Sequence, residues 1–81
     1  MAYQCRITGQ VIGRLRVQKG LSQEVLSGLA GIARSHLAMI EGGAKNAGVG
    51  TLWRIAAALG MSLSELFRQV EAEHERCLAQ G

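Results

Sequence analysis

The chain has 81 residues, a net charge of +3, two cysteines and no proline, a size that points to one domain spanning 1–81 with about 60% of its unfolded surface to bury. Cys5 and Cys77 stand near opposite ends, which gives neither a disulfide framework nor a metal-ligand spacing, and no apolar run is long enough to cross a bilayer. Residues 1–60 hold seven cations against two carboxylates, a net of +5, and residues 61–81 hold two against four, a net of −2. A basic body with an acidic tail fits a polyanionic partner on one side, or simply a solvated mixed-charge surface. The first residues lack the basic-then-apolar pattern of a secretory leader, so a cytoplasmic location is expected. The sequence contains no Asp, no nucleophile–base pair at a readable spacing and no phosphate loop, so an enzyme is not expected and neither a cofactor nor a metal is called for.

Five helices are predicted in chain order. Thr8 reads as the cap of the first, with Ile7 and Ile12 as a hydrophobic staple. Val11, Ile12 and Leu15 follow at helical spacing and Gly20 ends the segment, giving roughly 9–19. Ser22 caps the second helix, stapled by Leu21 and Leu26. Val25, Leu26 and Leu29 supply its apolar face and Ala30-Gly31 closes it. The third helix runs from about Arg34 to Glu41, with Leu37 and Ile40 inward and Gly42-Gly43 as the stop. About three residues join the second and third helices, the connection of a helix-turn-helix unit.

A loop from Ala44 to Gly50 leads to the fourth helix. Its face is Leu52, Ile55, Ala56 and Leu59, and Gly60 ends it. Ser62 and Glu65 form a capping box for the fifth helix, stapled by Met61 and Leu66. Leu63, Phe67, Val70, His74 and Leu78 then make an apolar stripe along some 15–18 residues, by the helical period.

Taken together, Gly20-Leu21-Ser22-Gln23-Glu24, Leu26, Ala30-Gly31-Ile32, Leu37, Ile40-Glu41-Gly42-Gly43, Thr51-Leu52, Ile55-Ala56, Ala58-Leu59-Gly60 and Ser62 through Phe67 resemble the Cro/phage-repressor (XRE-like) helix-turn-helix family in order and spacing. The resemblance covers about residues 9–67 and leaves 68–80 as a helical extension. In length the chain also looks like the stand-alone controllers of restriction–modification systems. The implied fold is all-α, a five-helix repressor-type domain with the helix-turn-helix at the second and third helices. The implied function is sequence-specific regulation of transcription through double-stranded DNA, by a homodimer on a palindromic operator.

The resemblance also implies roles for residues. Arg34, Ser35, Ala38 and Met39 would reach base edges from the third helix, and Arg34 matches the two acceptors of guanine. Met39 fits either a thymine methyl or the core edge. Ser22, Gln23, Lys45 and Asn46 would grip phosphates, with Arg6 and Arg14 as further cations. Arg16 and Glu41 would form an ion pair between the first helix and the end of the third. Trp53, off the core face of its helix, and the stripe Phe67, Val70, His74 and Leu78 would serve a dimer interface; the alternative is that the stripe covers the core of its own chain. An antitoxin-type module with the same fold, binding a toxin, is the second functional expectation. Three positions depart from the family pattern. Ala33 stands where Ser or Thr usually caps the third helix, a difference of about 1 kcal/mol. Gly43 replaces a common basic residue, and Ala47-Gly48 replaces Pro-Ser.

Overall fold

The structure, a computed structural model, describes residues 5–80. The helices are α1 (Cys5–Gln18), α2 (Gln23–Ala30), α3 (Arg34–Glu41), α4 (Val49–Ala58) and α5 (Leu63–Gln80). They enclose one apolar cluster. Ile7, Val11, Ile12 and Leu15 of α1 meet Leu26 and Ala30 of α2, Leu37 and Ile40 of α3, Leu52, Ile55 and Ala56 of α4 and Leu66 and Val70 of α5, with Leu59 just past α4. None of the four shorter helices exceeds 14 residues, lengths at which a helix in water depends on the packing of its apolar face.

The helix-turn-helix corner is built by Gly31. Its φ of +72° is left-handed, a region that costs a residue with a Cβ. In that geometry the Gly31 N–H turns back to Gly28 and Ser27, and Ile32 N donates to Ser27 O at 3.0 Å. The carbonyls at the end of α2 are thereby satisfied, and Ile32 is laid against the core. Ser22 Oγ accepts from Val25 N at 3.1 Å and so caps α2. Ser62 Oγ accepts from Glu65 N at 3.1 Å in the same way. The Glu65 carboxylate does not complete the box among the described residues; it lies 3.4 Å from Arg68 Nη2.

Four expectations need correction. Thr8 is not a cap: α1 already runs from Cys5, and Thr8 is buried inside it beside Ile7. Ile7–Val11 and Thr8–Ile12–Leu15 share the inward side, and a β-branched hydroxyl residue at such a position reads like a cap. In α2 the inward residues are Leu26, Ser27 and Ala30, while Val25 and Leu29 are 48% and 63% exposed; eight residues fill the core from one side only, and those two lie away from it. The loop after α3 is shorter than expected, because Gly48 is the N-cap and Val49 already helical. Along α5 the inward line is Leu66, Val70 and Glu73. The stripe Leu63–Phe67–Val70–His74–Leu78 runs beside it: Val70 alone lies within the core, Phe67 packs on its edge, His74 is half-buried and Leu78 is 54% exposed.

A candidate nucleic-acid interface on α3

With Leu37 and Ile40 turned fully inward, the helical period fixes what α3 presents outward. Arg34 and Ser35 are exposed, Met39 is 45% exposed, and Ala38 is half-buried between them. His36, also half-buried, lies to the side. Met39 therefore stands outside the core. Arg34 makes no ion pair among the described residues. Ala33, at the N-cap, offers no side-chain hydrogen bond. Among the described residues the first-turn N–H groups of α3 thus lack a side-chain acceptor, and a helix N-terminus in that state favours an anion.

The far end of α3 is held rigidly. Arg16 Nε donates to Glu41 Oε2 at 2.8 Å and Arg16 Nη2 to Glu41 Oε1 at 3.1 Å, a two-pronged pair. The remaining prong, Nη1, donates to Leu21 O at 2.8 Å. Gln23 Nε2 donates to Glu41 Oε1 at 3.0 Å. One carboxylate therefore joins α1, α2 and α3. The approach is close because α1 carries glycine there. A Cβ on Gly9 would come within 2.0 Å of the Ile40 carbonyl oxygen, and one on Gly13 within 3.2 Å of Glu41 Oε1. Gly43, left-handed at φ +78°, passes the backbone of Arg6 at 3.0 Å from its own would-be Cβ.

Of the four residues matched to phosphate contacts, Ser22 is exposed and occupied as the α2 cap. Gln23 is half-buried with its amide nitrogen committed to Glu41, which makes it a positioning group first. Lys45 and Asn46 are exposed in the loop after α3. Trp53 is 62% exposed on α4, one turn from Val49 at 60%.

Sequence reasoning missed a second polar cluster. Glu73 is buried. Arg14 Nη1 reaches its Oε1 at 2.9 Å from α1, and Arg76, one turn along α5, bonds both carboxylate oxygens. Cys77 Sγ lies 3.6 Å from Oε2. The hydrogen bonds from Arg76 and then Arg14 hold the Glu73 carboxyl down at about 2, against burial that would raise it. Arg14 thus faces α5, not an outside anion. The signal was the spacing Leu66–Val70–Glu73–Cys77, four, three and four, which places the glutamate on an inward line where it needs a cation. Among the described residues no three His, Cys, Asp or Glu gather as a metal site, and no helix is long and apolar enough to cross a membrane.

The helix-turn-helix family model matches residues 12–66. An HTH-type transcriptional regulator of Sinorhizobium fredii, y4dJ, is 39% identical over 61 residues, which are 75% of this chain and 79% of that protein. The restriction–modification controller protein C.AhdI from Aeromonas hydrophila superposes with a TM-score of 0.74 at 37% identity, over 76% of this chain and 94% of the other. The controller protein C.Esp1396I, solved as a tetramer with its natural 35 base-pair operator, gives a TM-score of 0.82 at 25% identity, over 90% and 96% of the two chains. With its two-helix corner around Gly31, its outward α3 and these relatives, the chain belongs to the helix-turn-helix family of transcriptional regulators.

Proposed function

We propose that this chain binds double-stranded DNA sequence-specifically as a homodimer, regulating transcription from a palindromic operator with α3 in the major groove. The observation that carries the reading is the outward side of α3. Arg34, Ser35, Ala38 and Met39 face away from the core, on a helix whose other end is fixed by Arg16, Glu41 and Gly9. A rigid short helix with its first turn exposed is the geometry that reads base edges. Lys45, Asn46 and the Ser22–Gln23 end of α2 lie on the flanking segments and serve as phosphate contacts, which position the domain without reading sequence. The operator complex of C.Esp1396I supports the choice of ligand.

One such domain makes few base contacts, and dimers of this type place half-sites about 34–36 Å apart. Trp53, with Val49 beside it, and the outer side of α5 at Phe67, His74 and Leu78 supply the apolar surface for a second copy. Val70 is spent on the chain's own core. In this reading residues 68–80 extend the domain for dimerisation, the protein works in the cytoplasm, and no catalytic step is involved.

The test is selection of bound duplexes from a random pool at near-physiological salt, with Arg34→Ala in parallel. A two-fold symmetric consensus is expected, with one position relaxed in the variant and affinity there down about tenfold. Failure to enrich any sequence would refute the reading. Light scattering at micromolar concentration is expected to give twice the chain mass.

A further inference from the structure

The outward side of α3 has an uneven chemistry. It carries one guanidinium (Arg34), one hydroxyl (Ser35) and two apolar side chains (Ala38, Met39), with neither a carboxylate nor a carboxamide. The amide of Gln23 belongs to α2 and is oriented by the bond from its nitrogen to Glu41. Bidentate recognition of adenine is the work of Asn or Gln, and Asp or Glu is the usual acceptor from the cytosine amino group, with a hydroxyl such as that of Ser35 a single, less selective contact. Neither a carboxamide nor a carboxylate is present on this side. Met39 is 45% exposed, a soft, adaptable side chain one helical turn beyond Ser35.

From this the geometry points to Met39, backed by Ala38, as a reader of a pyrimidine C5-methyl group in the major groove. Thymine is the assigned base, and its methyl is what Met39 reads of an A·T pair. The inference rests on the DNA-binding reading and adds which base chemistry the site takes. Arg34 and Met39 are five residues apart, about 7.5 Å along the helix, or about two steps of 3.4 Å on a DNA strand. The methyl-sensitive position therefore lies within about three steps of the guanine that depends on Arg34.

The experiment uses the full chain and the duplex enriched by selection. Each thymine is replaced in turn by deoxyuridine, which removes only the methyl, and each cytosine by 5-methylcytosine, which adds one. For the wild type, deoxyuridine at one position is expected to weaken binding about fourfold, the worth of one buried methyl-sized group. Met39→Ala binds the thymine and deoxyuridine duplexes equally, and Met39→Leu retains the discrimination. A cytosine whose methylation strengthens wild-type binding, and not that of Met39→Ala, supports the methyl-reading role and changes its source from thymine to 5-methylcytosine. Indifference of the wild type to every methyl, with the consensus intact, overturns the inference and leaves DNA binding standing. Sensitivity undiminished in Met39→Ala overturns it too. If no duplex is enriched, both readings fall together.

Discussion

Glu41 and Glu73 are nearly equal in burial, with side chains 9% and 8% exposed, and each is gripped by an arginine of α1. Their settings differ. Glu41 is shared by Arg16 of α1 and Gln23 of α2, and Arg16 is itself only 16% exposed. Glu73 has Arg14, 42% exposed, and an arginine from its own helix. Two residues apart on α1, Arg14 and Arg16 point to different neighbours. One clamps the helix that faces outward to the proposed DNA, and the other moors the C-terminal helix. The first knot closes three elements and has little water to fall back on. The second closes two and stays wet at its rim. Equal burial of a carboxylate therefore does not mean equal consequence: what matters is how many elements come apart when it is lost.

The sharpest way to break this comparison is Glu41→Ala. It leaves Arg16 and the Gln23 amide without their shared acceptor, a change expected to cost about 3 kcal/mol, read as a lowered midpoint in urea unfolding. A loss no larger than that of an exposed surface substitution would dissolve the distinction. Gly9→Ala comes next, at about 2 kcal/mol, because the new methyl meets backbone, the Ile40 carbonyl oxygen at 2.0 Å, and α1 or α3 must move. Gly13→Ala meets the flexible end of Glu41 at 3.2 Å and is expected to cost less in the same assay.

Glu73→Gln should destabilise less than Glu41→Ala, and its signature is pH. The folded carboxyl sits at about 2, against an ordinary 4.5. Its contribution is thus complete above pH 4.5 and lost as pH falls toward 2. Wild-type stability is expected to decline through that window with a component that Glu73→Gln lacks. Identical profiles for the two proteins would show that Glu73 is not held by its arginines. Smallest for the fold is Arg34→Ala, expected within about 0.5 kcal/mol of wild type, although it is the variant that should alter DNA selection most selectively.

The sequence made the glycine stops and the serine caps legible, since left-handed turns and capping oxygens are local chemistry that Gly31, Ser22 and Ser62 carry in their own covalent structure. The grouping of Arg34, Ser35, Ala38 and Met39 on one side of a helix was legible too, because it follows from Leu37 and Ile40 pointing inward. Arg16 opposite Glu41 came only through the family resemblance; 25 residues separate them, and no local pattern pairs them. What could not be read was the angular position of each helix against its neighbours. Val25 and Leu29 read as core because an apolar residue declares a preference for burial, but only the packing of α2 decides which side is covered. Thr8 failed for the same reason in reverse. Glu73 was hidden because two lines of helical spacing share Val70, four-three-four from Leu66 and four-three-four-four from Leu63; the second is the more apolar, and only the first faces inward.

The outward side chains of α3 contribute almost nothing to the core, while the same helix is locked at its far end by Glu41 and by the bare backbone of Gly9. If α3 reads DNA as proposed, stability and selectivity are written in separate letters of one eight-residue word. On the proposed DNA-binding reading, substitutions at Arg34, Ser35 and Met39 change what is recognised at little cost to folding, whereas substitutions at Gly9, Arg16 and Glu41 strike the fold itself.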